Sequence, residues 1–463
     1  MEARLRIESS TFKPGKKEKN VIAMASLRAV IIEDDDGDTS QDPIHLVAVI
    51  DVSKSMEDGK LDLVKASLTF VLEHLSERDT LGIVTFGNMA LTAFSMTPMH
   101  TKGKLLARSK LDGMYPRGAT NLSGGLLKGL DLLSKEDIST RGTLMLFTDG
   151  IPTRGIIDTP SLQKVVATHQ REKNVQILGF GFGKDHDATM LEAVCSVTKS
   201  GTYYYIPDQE SIGPQFAECL GGLLSLVVQN VELTIPTVPE YDVMHVWGDH
   251  KHRDSSGSYV LEIGDLYRDQ QKDILFEILP KRETIEIWCY VSYFNVLTGQ
   301  QRKMQPILLE TTFVETEEEP LIDVEVRKHH HRVLVAAMMQ WAFSSPETDL
   351  KVKRAEMRTL LAFLKQRFVE GDDLTPLLIE DIKHCLTGMV NYETYWDVGM
   401  SDLRTFSSSH TNQRSMSYST PLQNEMVTGL LSSEAYLNAS ASLSAQKARS
   451  SASLGDSHLP NSA

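Results

Sequence analysis

Cysteine is scarce in this chain of 463 residues: Cys195, Cys219, Cys289 and Cys385 are scattered, and no CxxC pair occurs. That spacing excludes a disulfide framework and a zinc finger, and it reads as reduced thiols. Long apolar runs are missing too. No stretch approaches the roughly 18 residues of a membrane span, and the opening MEARLRIESSTFKPGKKEKN carries charge without a signal-peptide core. The expectation is a cytoplasmic chain with no membrane span, in which the sequons at Asn121 and Asn438 carry no meaning. Positive charge is in deficit, with 47 Lys and Arg against 62 Asp and Glu and a net charge of -15. Such a balance argues against a nucleic-acid binder, which needs a basic face to neutralise phosphate. No GxSxG, GxxxxGK[ST] or HExxH occurs, so no common nucleophile, phosphate loop or zinc hydrolase is indicated. The glycines of GFGFGKD carry no dinucleotide fingerprint.

What is present is a regular alternation from residue 44 onward. Apolar runs IHLVAVI (44–50), TLGIVTF (80–86), TLMLFT (143–148), VQILGFGF (175–182) and GTYYYI (201–206) are separated by amphipathic stretches. Continuous apolar strands between helices predict a doubly wound, mainly parallel α/β sheet covered on both faces, spanning residues 44–228. Before it, residues 1–43 read as an early strand and a solvated acidic loop, EDDDGDTSQD, whose spacing does not fit a calcium loop. After it, residues 229–318 alternate apolar and polar positions and predict a small antiparallel β domain. Residues 319–400 return to helical periodicity, and the Ser-rich stretch 401–463 reads as a disordered tail. Serines in that tail can accept phosphate, although composition alone points to solvated disorder.

Three segments place oxygens at the carboxyl ends of strands, where ligands bind in a doubly wound sheet. Asp51, Ser53 and Ser55 follow the first run, Thr120 sits in the loop PRGATN, and Asp149 ends LMLFTDG. Singly, each is an ordinary helix cap. Together, two carboxylates and three hydroxyls form a hard-oxygen set that suits magnesium or manganese and is wrong for zinc or copper.

DVSKS, GATN and FTDG, in that order and with strand–helix alternation around them, resemble the metal-ion-dependent adhesion site of von Willebrand factor type A domains. The resemblance implies that Ser53, Ser55 and Thr120 contact the ion directly or nearly so, and that Asp51 and Asp149 act directly or through water. It also implies that a Glu or Asp of a bound protein takes a remaining position on the ion. Because hydroxyls donate little charge, the ion stays electron-poor and welcomes such an acid. GFGKDHDATMLEAV, GTYYYIPDQESI and FAECLGGLLSLVVQNVELTI are similar to an intracellular subgroup known from plants and to inter-alpha-trypsin inhibitor heavy chains, over residues 20–320. Many of the plant proteins carry a RING finger, and this chain has no Cys/His ladder for one. Lys54 stands where most members have Gly, and side-chain alternation predicts that it points away from the ion.

The functional expectation is therefore a non-enzymatic module that binds a partner's carboxylate through a divalent cation. Two alternatives stand beside it: a scaffold subunit of a ubiquitin-ligase assembly, and a hydrolase with Asp149 or His186 as base. In GKDHD, Asp185 or Asp187 is expected to cap the next helix, with His186 bonded locally. His329, His330 and His331 are helical neighbours that point in different directions, so a shared ion is not expected. Tyr203, Tyr204 and Tyr205 are expected in an edge strand. The sequence is silent on oligomeric state.

Overall fold

The computed structural model describes residues 1–12, 20–30, 43–134, 142–170, 175–183, 186–198, 201–206, 212–248, 251–296, 300–318, 321–414 and 418–441. The chain divides into two units, Asp42–Leu224 with Pro421–Ala463, and Met1–Gln41 with Ser225–Thr420.

In the first unit the apolar runs become β1 (His45–Asp51), β2 (Thr80–Phe86), β4 (Gly142–Thr148), β5 (Val175–Phe182) and β6 (Thr202–Ile206). A further strand, β3 (Ala90–Pro98), closes a hairpin with β2, and the sheet order is β3-β2-β1-β4-β5-β6. All neighbouring pairs are parallel except β2 with β3. The mainly parallel α/β fold expected from the sequence is therefore present, with an antiparallel edge.

Among the described residues, the sheet is covered by α1 (Lys60–His74), α2 (Thr101–Asp112), α3 (Leu122–Ser134), α4 (Thr159–Gln170), α5 (Ala188–Cys195) and α6 (Ile212–Leu224). Residues of β1 alternate between two cores. Leu46, Ala48 and Ile50 join α1, α2 and α6, whereas Val47 and Val49 join α3, α4 and α5. This two-sided burial is why the strands carry no polar alternation. At Gly129 of α3, a Cβ would meet Val49 Cγ2 at 2.5 Å, so the helix lies close on the sheet because that residue has no side chain.

The domain reading needs three corrections. The early strand, Val21–Arg28, is not a separate N-terminal piece; it pairs with Glu2–Ile7 and with Gln271–Pro280, more than 240 residues away, in the other unit. Leu226–Ile235 also belongs to that unit, which moves the boundary from residue 228 to Leu224. Within the stretch read as a disordered tail, Met400–Asn412 and Pro421–Ser432 are helical, as are residues 434–441. Pro421–Ser432 packs on α6, with Leu430 and Tyr436 buried in the core formed by α1 and α6. Tyr436 Oη accepts the Gly213 N–H at 3.2 Å, and Gln423 Nε2 donates to Glu218 O at 3.2 Å. Burial against α6 supplies the stabilisation that this Ser-rich sequence lacks by itself. The acidic loop 33–42 and the last part of the tail lie outside the described residues.

The second unit carries a four-stranded sheet, in the order Glu2–Ile7, Val21–Arg28, Gln271–Pro280 and Tyr241–Val246. Its second sheet is built around Tyr259–Tyr267, Leu226–Ile235 and Thr284–Asn295. Ala23, Ala25 and Leu27 from one sheet share a core with Leu233, Ile287 and Val291 from the other. Helices Val324–Ser344, Leu350–Arg367, Thr375–Gly388 and Met400–Asn412 form a separate core around Met339, Leu378 and Leu403.

Candidate functional site

The five oxygen-bearing residues singled out in the sequence come from three loops at the carboxyl edge of the first unit's sheet. Asp51 ends β1 and is fully buried. Its Oδ1 accepts the Ser53 N–H at 2.8 Å and its Oδ2 accepts the Thr148 hydroxyl at 2.7 Å. Thr148 ends β4, which pairs with β1, so strand register brings the hydroxyl to the carboxylate. Burial raises the Asp51 carboxyl to about 6, against the opposing pull of the Ser53 and Thr148 hydrogen bonds. The neighbouring Asp149 charge raises it further.

Past Asp51 the chain makes a tight turn over Lys54–Met56, anchored by fully buried Met56. Ser53 and Ser55 thereby face each other, with 3.0 Å between their hydroxyl oxygens. Ser55 Oγ donates to Asp149 Oδ1 at 2.7 Å. Thr120 is placed by backbone bonds: its carbonyl accepts the N–H groups of Thr153 at 2.9 Å and Arg154 at 3.2 Å. A Cβ at Gly150 would lie 3.1 Å from Thr120 Oγ1, a tight contact, and 3.5 Å from Ser55 Oγ, an ordinary one, so both hydroxyls lie beside the residue that follows Asp149. The structure thus gathers Asp51, Ser53, Ser55, Thr120 and Asp149 into one cluster, with Asp51, Ser53, Thr120 and Asp149 buried.

The donor chemistry fits a hard divalent cation. Only oxygens are offered, two of the five residues are carboxylates, and both carboxylates lie where an isolated charge is costly. Among the described residues, no three His, Cys, Asp or Glu side chains group as a metal site, so an ion here depends on the hydroxyls.

Two residues that sequence reasoning passed over complete the cluster. Thr148 holds Asp51, as described, and Lys60 reaches in from the start of α1. The Lys60 ammonium bonds to Asp149 Oδ2 and, at 3.1 Å, to the Ser55 carbonyl. A lysine in a helix's first turn, where the dipole favours acids, was the one local signal that its head is held elsewhere. Lys54 is exposed on the same turn.

The other candidates fall elsewhere. His186 Nε2 is hydrogen-bonded to the Tyr203 hydroxyl, and its pKa is lowered, by burial above all, against the field of Asp187 and Asp149. Asp187 caps α5 by accepting the Met190 N–H at 2.9 Å, whereas Asp185 lies outside the described residues. Tyr203, Tyr204 and Tyr205 lie in edge strand β6, as expected. The three histidines face three surroundings: His329 meets Asp273, His330 the Trp247 ring, and His331 Thr375.

Three comparisons with known proteins bear on this arrangement. The family model for the von Willebrand factor type A domain matches residues 45–218. Inter-alpha-trypsin inhibitor heavy chain H1 of Sus scrofa is 29% identical over 45% of this chain and 23% of its own length. The E3 ubiquitin-protein ligase WAV3 of Arabidopsis thaliana is 26% identical over 51% of this chain and 31% of its own. The chain therefore spans less than a third of the length of either relative. A solved structure, von Willebrand factor type A from Catenulispora acidiphila, superposes with a TM-score of 0.59 at 15% identity, covering 89% of this chain and 96% of that one. At that identity the likeness shows the fold alone.

Proposed function

Residues 45–218 form a von Willebrand factor type A domain, a type that mediates protein–protein interactions, and from that premise we propose that this chain binds an acidic partner protein through a divalent cation. The observation that carries the reading is the convergence of Ser53, Ser55, Thr120 and two buried carboxylates beside Gly150. Ser53, Ser55 and Thr120 would hold magnesium or manganese directly, with Asp51 and Asp149 bound directly or through water. When bound, the ion supplies an electron-poor centre for a Glu or Asp side chain of the partner. Asp51 is fixed by Ser53 and Thr148, so this carboxylate is oriented by the protein itself.

The surroundings support docking of a protein. Met89, Tyr115 and Ile151 are 70%, 59% and 61% exposed, and they lie on or beside the loops that carry the cluster. Asn88, next to Met89, is tied to the Thr120 loop by accepting the Ala119 N–H at 3.0 Å. Exposed apolar residues around a polar centre are the composition of a recognition surface. A scaffold role in a ubiquitin-ligase assembly is a second reading, and it rests on the similarity to WAV3.

Titration of the full chain with magnesium chloride tests the proposal. Saturable binding that is lost in Ser53→Ala, with the thermal midpoint of the variant unchanged in chelator, is the expected result. Equal heats for both proteins would remove the cation from the reading.

A further inference from the structure

We propose that Lys60 is a tethered positive charge that sets how tightly this site holds its divalent cation; the inference rests on the cation-dependent reading above. The local backbone is shaped to deliver it. Asp58 and Gly59 both adopt left-handed conformations, at φ 60° and 83°, immediately before α1 begins at Lys60. A non-glycine residue rarely takes such a conformation. The helix then opens on a lysine, which the dipole disfavours in a first turn. Its side chain nevertheless stays only 26% exposed, reaching the wholly buried Asp149 carboxylate instead of water.

Both Asp149 oxygens are engaged in this arrangement. Oδ1 accepts the Ser55 hydroxyl and Oδ2 accepts the Lys60 ammonium, which also bonds to the Ser55 carbonyl. Lys60 therefore touches the acid and one of the hydroxyl residues of the cluster at once. Two carboxylates alone would balance a divalent cation completely. With Lys60 beside them the cluster carries one net negative charge, so a bound ion leaves one positive charge for the partner's acid. Lys60 weakens the hold on the ion and strengthens the pull on a carboxylate ligand. Lys54 stands apart, exposed on the turn.

The test uses the full chain and magnesium chloride as the probe, followed by isothermal titration. Lys60→Gln keeps a polar side chain while removing the charge, and its magnesium dissociation constant should fall about tenfold. Lys60→Met should behave likewise, with a lower thermal midpoint in chelator and a larger rise on adding magnesium. Lys60→Arg keeps the charge and should stay within about threefold of the natural protein. A merely structural role would weaken magnesium binding in Lys60→Gln and Lys60→Met. Unchanged or weaker binding in those variants, with normal binding by the natural protein, overturns the role of Lys60 and leaves the cation reading standing. No magnesium binding by the natural protein overturns both.

Discussion

Thr148 separates the frame of the site from its donors. Its hydroxyl donates to Asp51 Oδ2 at 2.7 Å in a fully buried setting, and valine has nearly the same shape without the proton. Thr148→Val should therefore cost roughly 1.5–3 kcal/mol in urea unfolding measured in chelator, the range for a hydrogen bond to a charged group. A change below about 0.5 kcal/mol would mean that Asp51 finds another donor. The five cluster residues were legible because each follows an apolar run or a glycine loop, positions that chain order alone identifies. Lys60 and Thr148 were not. Thr148 reads as the last residue of a strand, and its role depends on the register of β1 against β4. Lys60 reads as a surface lysine, and only the left-handed turn at Asp58 and Gly59 turns it towards Asp149.

Between elements, the decisive contact is the docking of Pro421–Ser432 on α6. At Gly221 of α6 the two backbones come close, since a Cβ there would lie 2.8 Å from Gln423 Cα. Backbone cannot yield as a side-chain tip can, so Gly221→Val should displace the helix and cost about 1–3 kcal/mol. Hydrogen exchange should then accelerate in Pro421–Ser432 while β1 and β4 keep their protection. Unaltered exchange in that helix would show that it is held without close approach to Gly221. The strands of the sheet core were legible because burial on both faces writes itself as an unbroken apolar run. Pro421–Ser432 was not, because its few large apolar residues, such as Leu430, are buried by α6 and α1, which lie some 200 or more residues earlier in the chain. Edge strand β3 was missed for a related reason: Leu91 is 48% exposed while Phe94 is buried, so the strand shows no apolar run.

At the scale of the whole molecule, the two units carry different buried titratable groups, and acid should strike the second unit first through its histidines. Burial lowers His329 to about 4 and His331 to about 4, against 6.5 for an ordinary imidazole. Geometry explains why His329 resists a second proton. Arg332 Nε, which is always a donor, points at Nδ1 from 3.1 Å, so that nitrogen must stay an acceptor while Nε2 faces Asp273 at 3.2 Å. In the folded unit both rings stay neutral down to about pH 4, whereas in the unfolded chain they take protons from about pH 6.5. The unfolded chain therefore binds more protons across that window. Stability is complete above pH 6.5 and falls as the pH drops towards 4, by a few kcal/mol for the two rings together. Circular dichroism melts between pH 7 and 4.5 should show a transition moving down steadily with acid. His331→Phe, which removes one titrating ring, should flatten that slope even if the variant is less stable at neutral pH. A slope equal to that of the natural protein would mean that His331 is not excluded from protonation in the folded state, and that the acid response comes from elsewhere in the chain.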